Sequence, residues 1–150
     1  MSFSRVKLNI YYSKLRQNVE TLRNSSKSEI IAMIKANAYG HGMNEIYEFL
    51  HSECNVNDFG VASIEEAVFL RKTTRDYSSN IIVFSDLGFH QYNRFQDFLD
   101  EKIIPVISSW EDLDYFVSQR SNCSIPLYIK INTGMNRLGL NTNNIDDFVQ

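Results

Sequence analysis

The sequence predicts an α/β fold built on a parallel sheet, and two observations carry this prediction. Five apolar runs recur along the 150 residues, and segments of helical character separate them. Strands that alternate with helices are typical of β-α-β units. The runs are apolar throughout instead of alternating with polar residues, which is the pattern of strands covered on both faces.

The predicted elements follow one another at fairly even spacing. An amphipathic helix is predicted over 10–23, because Tyr11, Leu15, Val19 and Leu22 recur at helical spacing. Strands are predicted over 30–35, 59–62, 81–84, 103–107 and 127–131. Helices are predicted between them, over 43–50, 64–71, 92–99 and 111–117.

Two single residues bear on these elements. Ser63 can cap the helix over 64–71, and Glu66 stands three residues later, as in a capping box. Pro105 conflicts with its own strand, because proline removes a donor from the hydrogen-bond ladder.

Composition and charge exclude several classes of function. Fifteen basic and eighteen acidic residues give a net charge of −3, so nothing favours nucleic acid or an anionic membrane as partner. No apolar run approaches the ~20 residues of a membrane span, and the first 30 residues lack a secretory stretch. Cys54 and Cys123 lack metal-ligand spacing, so we expect reduced thiols, no metal site and a cytoplasmic location.

A first cluster of reactive residues follows the first apolar run, in residues 35–42, KANAYGHG. Lys35 has two interpretations: an ammonium that reaches solvent from the strand end, or an amine that forms a Schiff base with a carbonyl group. The second interpretation gains from position, because parallel α/β folds place active sites at the carboxyl ends of strands. His41, between two glycines, is interpreted as a hydrogen-bonded loop histidine.

A second cluster ends the fifth run, in residues 130–139, KINTGMNRLG. Alternation places Tyr128, Lys130 and Asn132 on one face of the strand. If that face lines a barrel, Lys130 needs an anionic neighbour or a chemical modification. Arg137 either clamps a carboxylate or phosphate with its planar guanidinium or lies solvated on a surface loop.

These two clusters together resemble the signatures of the alanine racemases, a family of fold-type III enzymes that depend on pyridoxal 5′-phosphate. Residues 33–42 resemble the family's cofactor-attachment signature, and 130–139 resemble its second signature at a similar separation. Between them, 59–67 resembles the family's second strand and helix, and 104–109 its fourth strand, proline included. The resemblance runs from the first helix to about Leu140.

The resemblance implies a partial (β/α)8 TIM barrel, with about five of eight strand–helix units in 1–150 and a β-rich C-terminal domain beyond them. It implies that Lys35 holds the cofactor as a Schiff base and is one of two catalytic bases, and that Tyr39 approaches the cofactor phosphate. Lys130 would be carbamylated and would orient Arg137, which contacts the cofactor and the substrate carboxylate. Asn132 departs from the family, which usually has an acidic residue there.

The function implied is the interconversion of L-alanine and D-alanine, with D-alanine supplied for peptidoglycan, by a homodimer whose partner subunit gives the second base. The alternatives are a serine or lysine racemase or an amino-acid decarboxylase of the same superfamily, or a non-catalytic half-barrel that binds the cofactor. We expect 1–150 to be inactive alone, because the resemblance implies that the second base and most of the phosphate site lie later in the chain. The sequence also ends inside a predicted helix, which Thr142 or Asn144 can cap and whose apolar stripe starts with Ile145, Phe148 and Val149 before Gln150.

Overall fold

The computed structural model describes residues 7–119 and 125–141, and within them it confirms the parallel α/β prediction. Five strands form one sheet in the order β1-β2-β3-β4-β5, and all four neighbouring pairs are parallel. The strands are β1 (Ile31–Met33), β2 (Asp58–Ser63), β3 (Asn80–Asp86), β4 (Ile103–Ile107) and β5 (Tyr128–Ile129).

Helices precede the sheet and fill the connections between its strands. They are α1 (Tyr12–Ser26), α2 (Lys35–Tyr39), α3 (Met43–Glu48) with a π-helical continuation (Phe49–Glu53), α4 (Ile64–Thr74), α5 (Phe89–Tyr92), α6 (Phe95–Asp100) and α7 (Trp110–Gln119). The Ser63 cap is confirmed, because its hydroxyl accepts a hydrogen bond from the Glu66 N–H at 3.4 Å.

Three predicted elements need correction beyond small shifts at their ends. The first strand ends at Met33, so Lys35 lies in the following turn instead of at the strand end. The helix predicted over 92–99 is two helices, because Asn93 has a left-handed φ of 49°. The fifth strand stops before Lys130, and a separate short strand β6 (Ile131–Asn132) pairs in parallel with β7 (Leu140–Asn141).

Pro105 is accommodated in the middle of β4, which is buried at every position. Pro105 stands opposite Val83 of β3, while the pairing of β4 with β5 begins one residue later, at Val106. Ile103 and Ile104 pair with β3, and Val106 and Ile107 pair with β5, so one missing donor does not end the strand.

The sheet separates two apolar clusters. The larger one packs the helices against one face, with Phe59, Ile81 and Ile103 fully or almost fully buried. The smaller one covers the opposite face, and its members are Ile82, Ile104, Val106 and the partly buried Phe84. Because successive strand residues point to opposite faces and helices cover the face of the larger cluster, as on the outside of a β/α barrel, we call the face of this second cluster the concave face.

The amino ends of β3 and β4 are held by a buried arginine. Arg71 is only 1% exposed and donates hydrogen bonds to four carbonyl oxygens, of which Glu101 O lies 2.9 Å and Ser79 O 3.1 Å from its nitrogens. Burial lowers the pKa of this guanidinium. Its four acceptors compensate the lost hydration, so Arg71 joins the loops in front of both strands.

Other expectations are tested only in part. Cys54 is a buried free thiol whose pKa is raised by burial, whereas Cys123 and the helix expected near Thr142 lie outside the described residues. In 7–119 and 125–141, no helix has the length and apolar character that a membrane crossing needs. The same residues contain no group of three His, Cys, Asp or Glu side chains suited to a metal ion.

Candidate functional site

The segment α2, which follows β1, is a left-handed turn and not a right-handed helix. Ala36, Asn37, Ala38 and Tyr39 have φ values between 50° and 55°, and Gly40 continues with φ 85°. The left-handed conformation costs roughly 1–2 kcal/mol for each residue that has a Cβ. Four such residues in succession therefore represent strain that contacts from elsewhere must offset.

Hydrogen bonds from inside and outside the turn hold it. Within the turn, the Ala38 N–H donates to Ile34 O at 2.7 Å. The Asn37 side-chain oxygen accepts from the Met43 N–H at 2.8 Å and so fixes the start of α3. From α4, the Glu66 carboxylate accepts from the Ala36 N–H at 2.6 Å.

The turn presents three of the residues selected from the sequence. Lys35 is half-buried at its start, and Tyr39 is 59% exposed at its end. The ring of His41 donates from Nδ1 to the Ala38 carbonyl at 2.8 Å, as expected of a loop histidine. The turn therefore places the amine and the phenol beside one edge of the sheet, with both side chains accessible.

Lys130 lies at the same edge and on the concave face. Its ammonium donates to Phe84 O at 2.6 Å and lies 5.6 Å from the centre of the Phe84 ring. Lys130 also lines a cavity of about 240 Å³ together with Val106 and Tyr128. Ile129 lines the same cavity, so the alternation predicted for Tyr128, Lys130 and Asn132 stays a prediction. A carbonyl oxygen and an aromatic ring, not an anion, contact the Lys130 ammonium in the described residues.

Lys35, Lys130 and Arg137 lie close enough at this edge for their charges to interact. Burial lowers the pKa of Lys130, and the positive charges of Arg137 and Lys35 lower it further. In 7–119 and 125–141, none of the three forms an ion pair with a carboxylate. A cluster of cations without counter-ions in a partly buried place is suited to an anionic ligand.

The loop between β6 and β7 carries Arg137 and is built by asparagine and glycine. The Asn132 side-chain oxygen accepts from the N–H groups of Gly134 and Asn136, each at 3.1 Å. A Cβ on Gly139 would lie 2.8 Å from the Asn132 nitrogen, and Gly139 has φ 120°, so only glycine fits there. Arg137 is exposed, and its charge still reaches Lys130.

A larger apolar groove, of about 550 Å³, lies between α1 and β1. It is lined mainly by aliphatic side chains such as Leu15, Val19 and Ile34. The cation cluster lies on the other side of the sheet, where charge and reactive groups meet, so we place the candidate site there and not in the groove.

Sequence reasoning missed the role of Glu66. The capping-box pattern identifies Glu66 only as part of a helix start. In the structure its carboxylate bonds the Ala62 N–H at 2.8 Å as well as the Ala36 N–H at 2.6 Å. No local pattern predicts this, because Ala36 is thirty residues away along the chain.

A parallel β/α sheet that gathers lysines and an arginine at the carboxyl ends of its strands is part of a β/α-barrel domain with its site at the usual edge. A family model described as the alanine racemase N-terminal domain matches residues 10–150. The chain belongs to this family.

Individual relatives agree with the family model. An alanine racemase of Haemophilus influenzae is 36% identical over 137 residues, which are 91% of this chain and 36% of the relative. A catabolic alanine racemase of Schizosaccharomyces pombe is 33% identical over 119 residues, or 79% of this chain and 31% of the relative. The chain thus spans about a third of the length of these curated relatives.

Solved structures show the same fold. The biosynthetic alanine racemase of Pseudomonas aeruginosa matches with a TM-score of 0.72 and 24% identity, over 91% of this chain and 36% of that one. A histidine racemase of Leuconostoc mesenteroides matches with a TM-score of 0.78 and 23% identity, over 92% and 36%. At such identities the match establishes the barrel fold and not the substrate.

Proposed function

We propose that this chain is the N-terminal part of a pyridoxal-phosphate-dependent alanine racemase, an isomerase that interconverts L-alanine and D-alanine. The observation that carries the proposal is the cluster of Lys35, Lys130 and Arg137 at the carboxyl edge of a racemase-family sheet, which has no carboxylate partner within 7–119 and 125–141. We further propose that the D-alanine it forms is supplied for peptidoglycan. We place the enzyme in the cytoplasm.

The residues present fit the cofactor. Pyridoxal phosphate carries an aldehyde, a phenolic oxygen and a phosphate, so it needs one amine and several positive or hydrogen-bonding groups. Lys35 would supply the amine, Arg137 would contact the phenolic oxygen, and Tyr39, whose side chain is accessible, would bind the phosphate. When bound, the cofactor withdraws electrons from the substrate α-carbon and so acidifies its proton.

The residues of this chain then bind the substrate and transfer its α-proton. Lys35 is the base that takes the α-proton on one face or returns it there. Arg137 holds the substrate carboxylate through two parallel N–H bonds, which fixes the α-carbon relative to Lys35. The second base belongs to the part of the enzyme beyond these residues, in a partner subunit of a homodimer.

Lys130 is proposed to be carbamylated. Its lowered pKa leaves more of the neutral amine, which attacks the carbon of carbon dioxide and releases one proton. The product carries a negative charge between Arg137 and Lys35, so it converts three mutually repelling cations into a compensated cluster. This anion would orient Arg137 and remove the need for a carboxylate among the neighbours.

The test is racemisation by the complete enzyme that contains this chain. Pyridoxal phosphate and L-alanine are added, and D-alanine is measured over a range of protein concentrations, beside residues 1–150 alone. We expect D-alanine from the complete enzyme and none from 1–150, which lacks the second base. Absence of D-alanine at every concentration contradicts the proposed function. Racemisation by 1–150 contradicts the proposal that the second base lies outside these residues.

Substrate preference is tested in the same assay. Alanine, serine and lysine are compared as substrates, and release of carbon dioxide is measured as a sign of decarboxylation. We expect alanine to have the highest kcat/KM, because both signatures and the family match favour an alanine racemase. A preference for serine or lysine, or carbon dioxide release, would favour another member of the superfamily.

A further inference from the structure

The carboxylate of Glu66 joins the ends of two neighbouring strands. One oxygen accepts from the Ala36 N–H at 2.6 Å, just beyond β1. The other accepts from the Ala62 N–H at 2.8 Å, near the end of β2. Each oxygen therefore has its own backbone donor, and the carboxylate spans the gap between the two strand ends.

The position of Glu66 is fixed by the start of α4. Ser63 caps the helix, and Glu66 lies in its first turn, where the helix dipole favours a negative charge. Because α4 packs on β2 and β3, the carboxylate is held by a rigid element instead of a loop. A side chain supported in this way can impose a geometry on its neighbours.

The geometry it imposes is that of Lys35. The Ala36 N–H belongs to the peptide unit that joins Lys35 to Ala36, so a hydrogen bond at this nitrogen sets the orientation of that unit. Ala36 is also the first of the four left-handed residues, which a free chain avoids. Loss of the bond would let the unit rotate and would move the Cα and side chain of Lys35 with it.

We propose that Glu66 is a positioning residue, which acts through the Ala36 amide to hold Lys35 where its amine captures the cofactor aldehyde. This inference rests on the proposed function, because it presupposes that Lys35 is the amine that reacts. In the described residues the Glu66 carboxylate bonds the backbone N–H groups of Ala36 and Ala62, and it takes no part in the bond that forms.

The test measures which lysine is captured. The complete enzyme that contains this chain is incubated with pyridoxal phosphate, whose aldehyde condenses with a lysine amine and releases water. Borohydride then delivers hydride to the imine carbon while the nitrogen takes a proton from water, and peptide mass analysis locates the adduct. The exposed Lys14 on α1 serves as an internal reference.

We expect Glu66→Ala to lower the ratio of Lys35 to Lys14 adduct at least about tenfold, since small misplacements of a reacting group cause losses of that size. Glu66→Gln keeps the shape and one acceptor, so it should fall between Glu66→Ala and the unaltered chain. It also remains informative if Glu66→Ala fails to fold. The matched control is Glu65→Ala, which removes an exposed carboxylate from the same helical turn.

All variants are labelled well below their thermal midpoints, so that loss of global stability does not change the ratio. An unchanged ratio in Glu66→Ala and Glu66→Gln overturns the inference, as does an equal loss in Glu65→Ala. Absence of a Lys35 adduct in the unaltered chain contradicts the proposed function itself, and this result is distinct from the other two.

Discussion

Gly60 provides the sharpest test of packing on the concave face. It lies in β2 opposite Met33 of β1 and Ile82 of β3. A Cβ at this position would overlap the Met33 sulfur and lie 2.9 Å from Cε2 of the Phe84 ring. The side chains of both neighbours therefore cross over the glycine and fill the space that a methyl group would need.

Gly60→Ala should destabilise the fold by about 1–3 kcal/mol, which is the usual effect of one extra methyl group in a filled core. The partly buried Phe84 ring packs with Ile82 in the concave cluster, so displacing it disturbs that packing. For a domain of this length each kcal/mol lowers Tm by about 2–4 °C, so Tm should fall by about 2–12 °C. Urea unfolding at equilibrium gives the free energy of unfolding independently.

A double-mutant cycle separates this overlap from the general effect of alanine in a strand. Met33→Ala removes the overlapping sulfur, so Gly60→Ala should be less destabilising in that background than in the unaltered chain. Equal effects in both backgrounds, or no loss of stability in Gly60→Ala alone, would refute the packing described for this face.

Three further changes test the loop, the amino edge and the cation cluster. Gly139→Ala should lower the free energy of unfolding by at least about 1 kcal/mol more than Gly134→Ala, because both have positive φ but only Gly139 faces a backbone wall; equal losses in urea would contradict this. Burial raises the pKa of Asp76, but bonds from Ser78 and Tyr47 prevail and lower it to about 2. Its ionised form therefore stabilises the fold above about pH 4, and this contribution is lost as the pH falls towards 2. Asp76→Asn should make the urea midpoint less dependent on pH between about 4 and 2, and an unchanged pH dependence would contradict this. Asn132→Asp keeps the side-chain oxygen that accepts from the Gly134 and Asn136 N–H groups and adds an anion two residues from Lys130, so the free energy of unfolding in urea at pH 7 should rise by up to about 1 kcal/mol. A fall would show that the lost amide bond to Asn136 Oδ1 matters more.

Much of the sheet could be predicted from sequence because strands buried on both faces must be apolar along their whole length. β4 matches its predicted bounds, and β2 and β3 extend theirs by one or two residues at each end. The start of α4 was also predictable, because Ser63 and Glu66 form a local signal. These features depend on residues that are close together in the chain.

The candidate site was predictable only in part. The clusters around Lys35 and Lys130 stood out, and the parallel topology brings their strand ends to one edge. The left-handed turn was not predictable, because alanine and tyrosine do not favour positive φ, and Asn37 is the single residue in it that does so to some degree. A contact thirty residues away, from Glu66, contributes to this conformation.

The amino and carboxyl edges of the sheet differ in the partners of their charged side chains. At the amino edge the charged side chains of Arg71 and Asp76 both have partners: Arg71 donates to four carbonyl oxygens, and Asp76 accepts from Tyr47 and Ser78. At the carboxyl edge the left-handed turn stores strain, and the cations of the site have no carboxylate partners in the described ranges 7–119 and 125–141. Repulsion among cations does not stabilise a fold, so its persistence at this edge is best explained by an anionic ligand that compensates it. An anionic cofactor attached through Lys35 would supply the missing charge, and the chain should therefore unfold at a higher temperature with pyridoxal phosphate than without it.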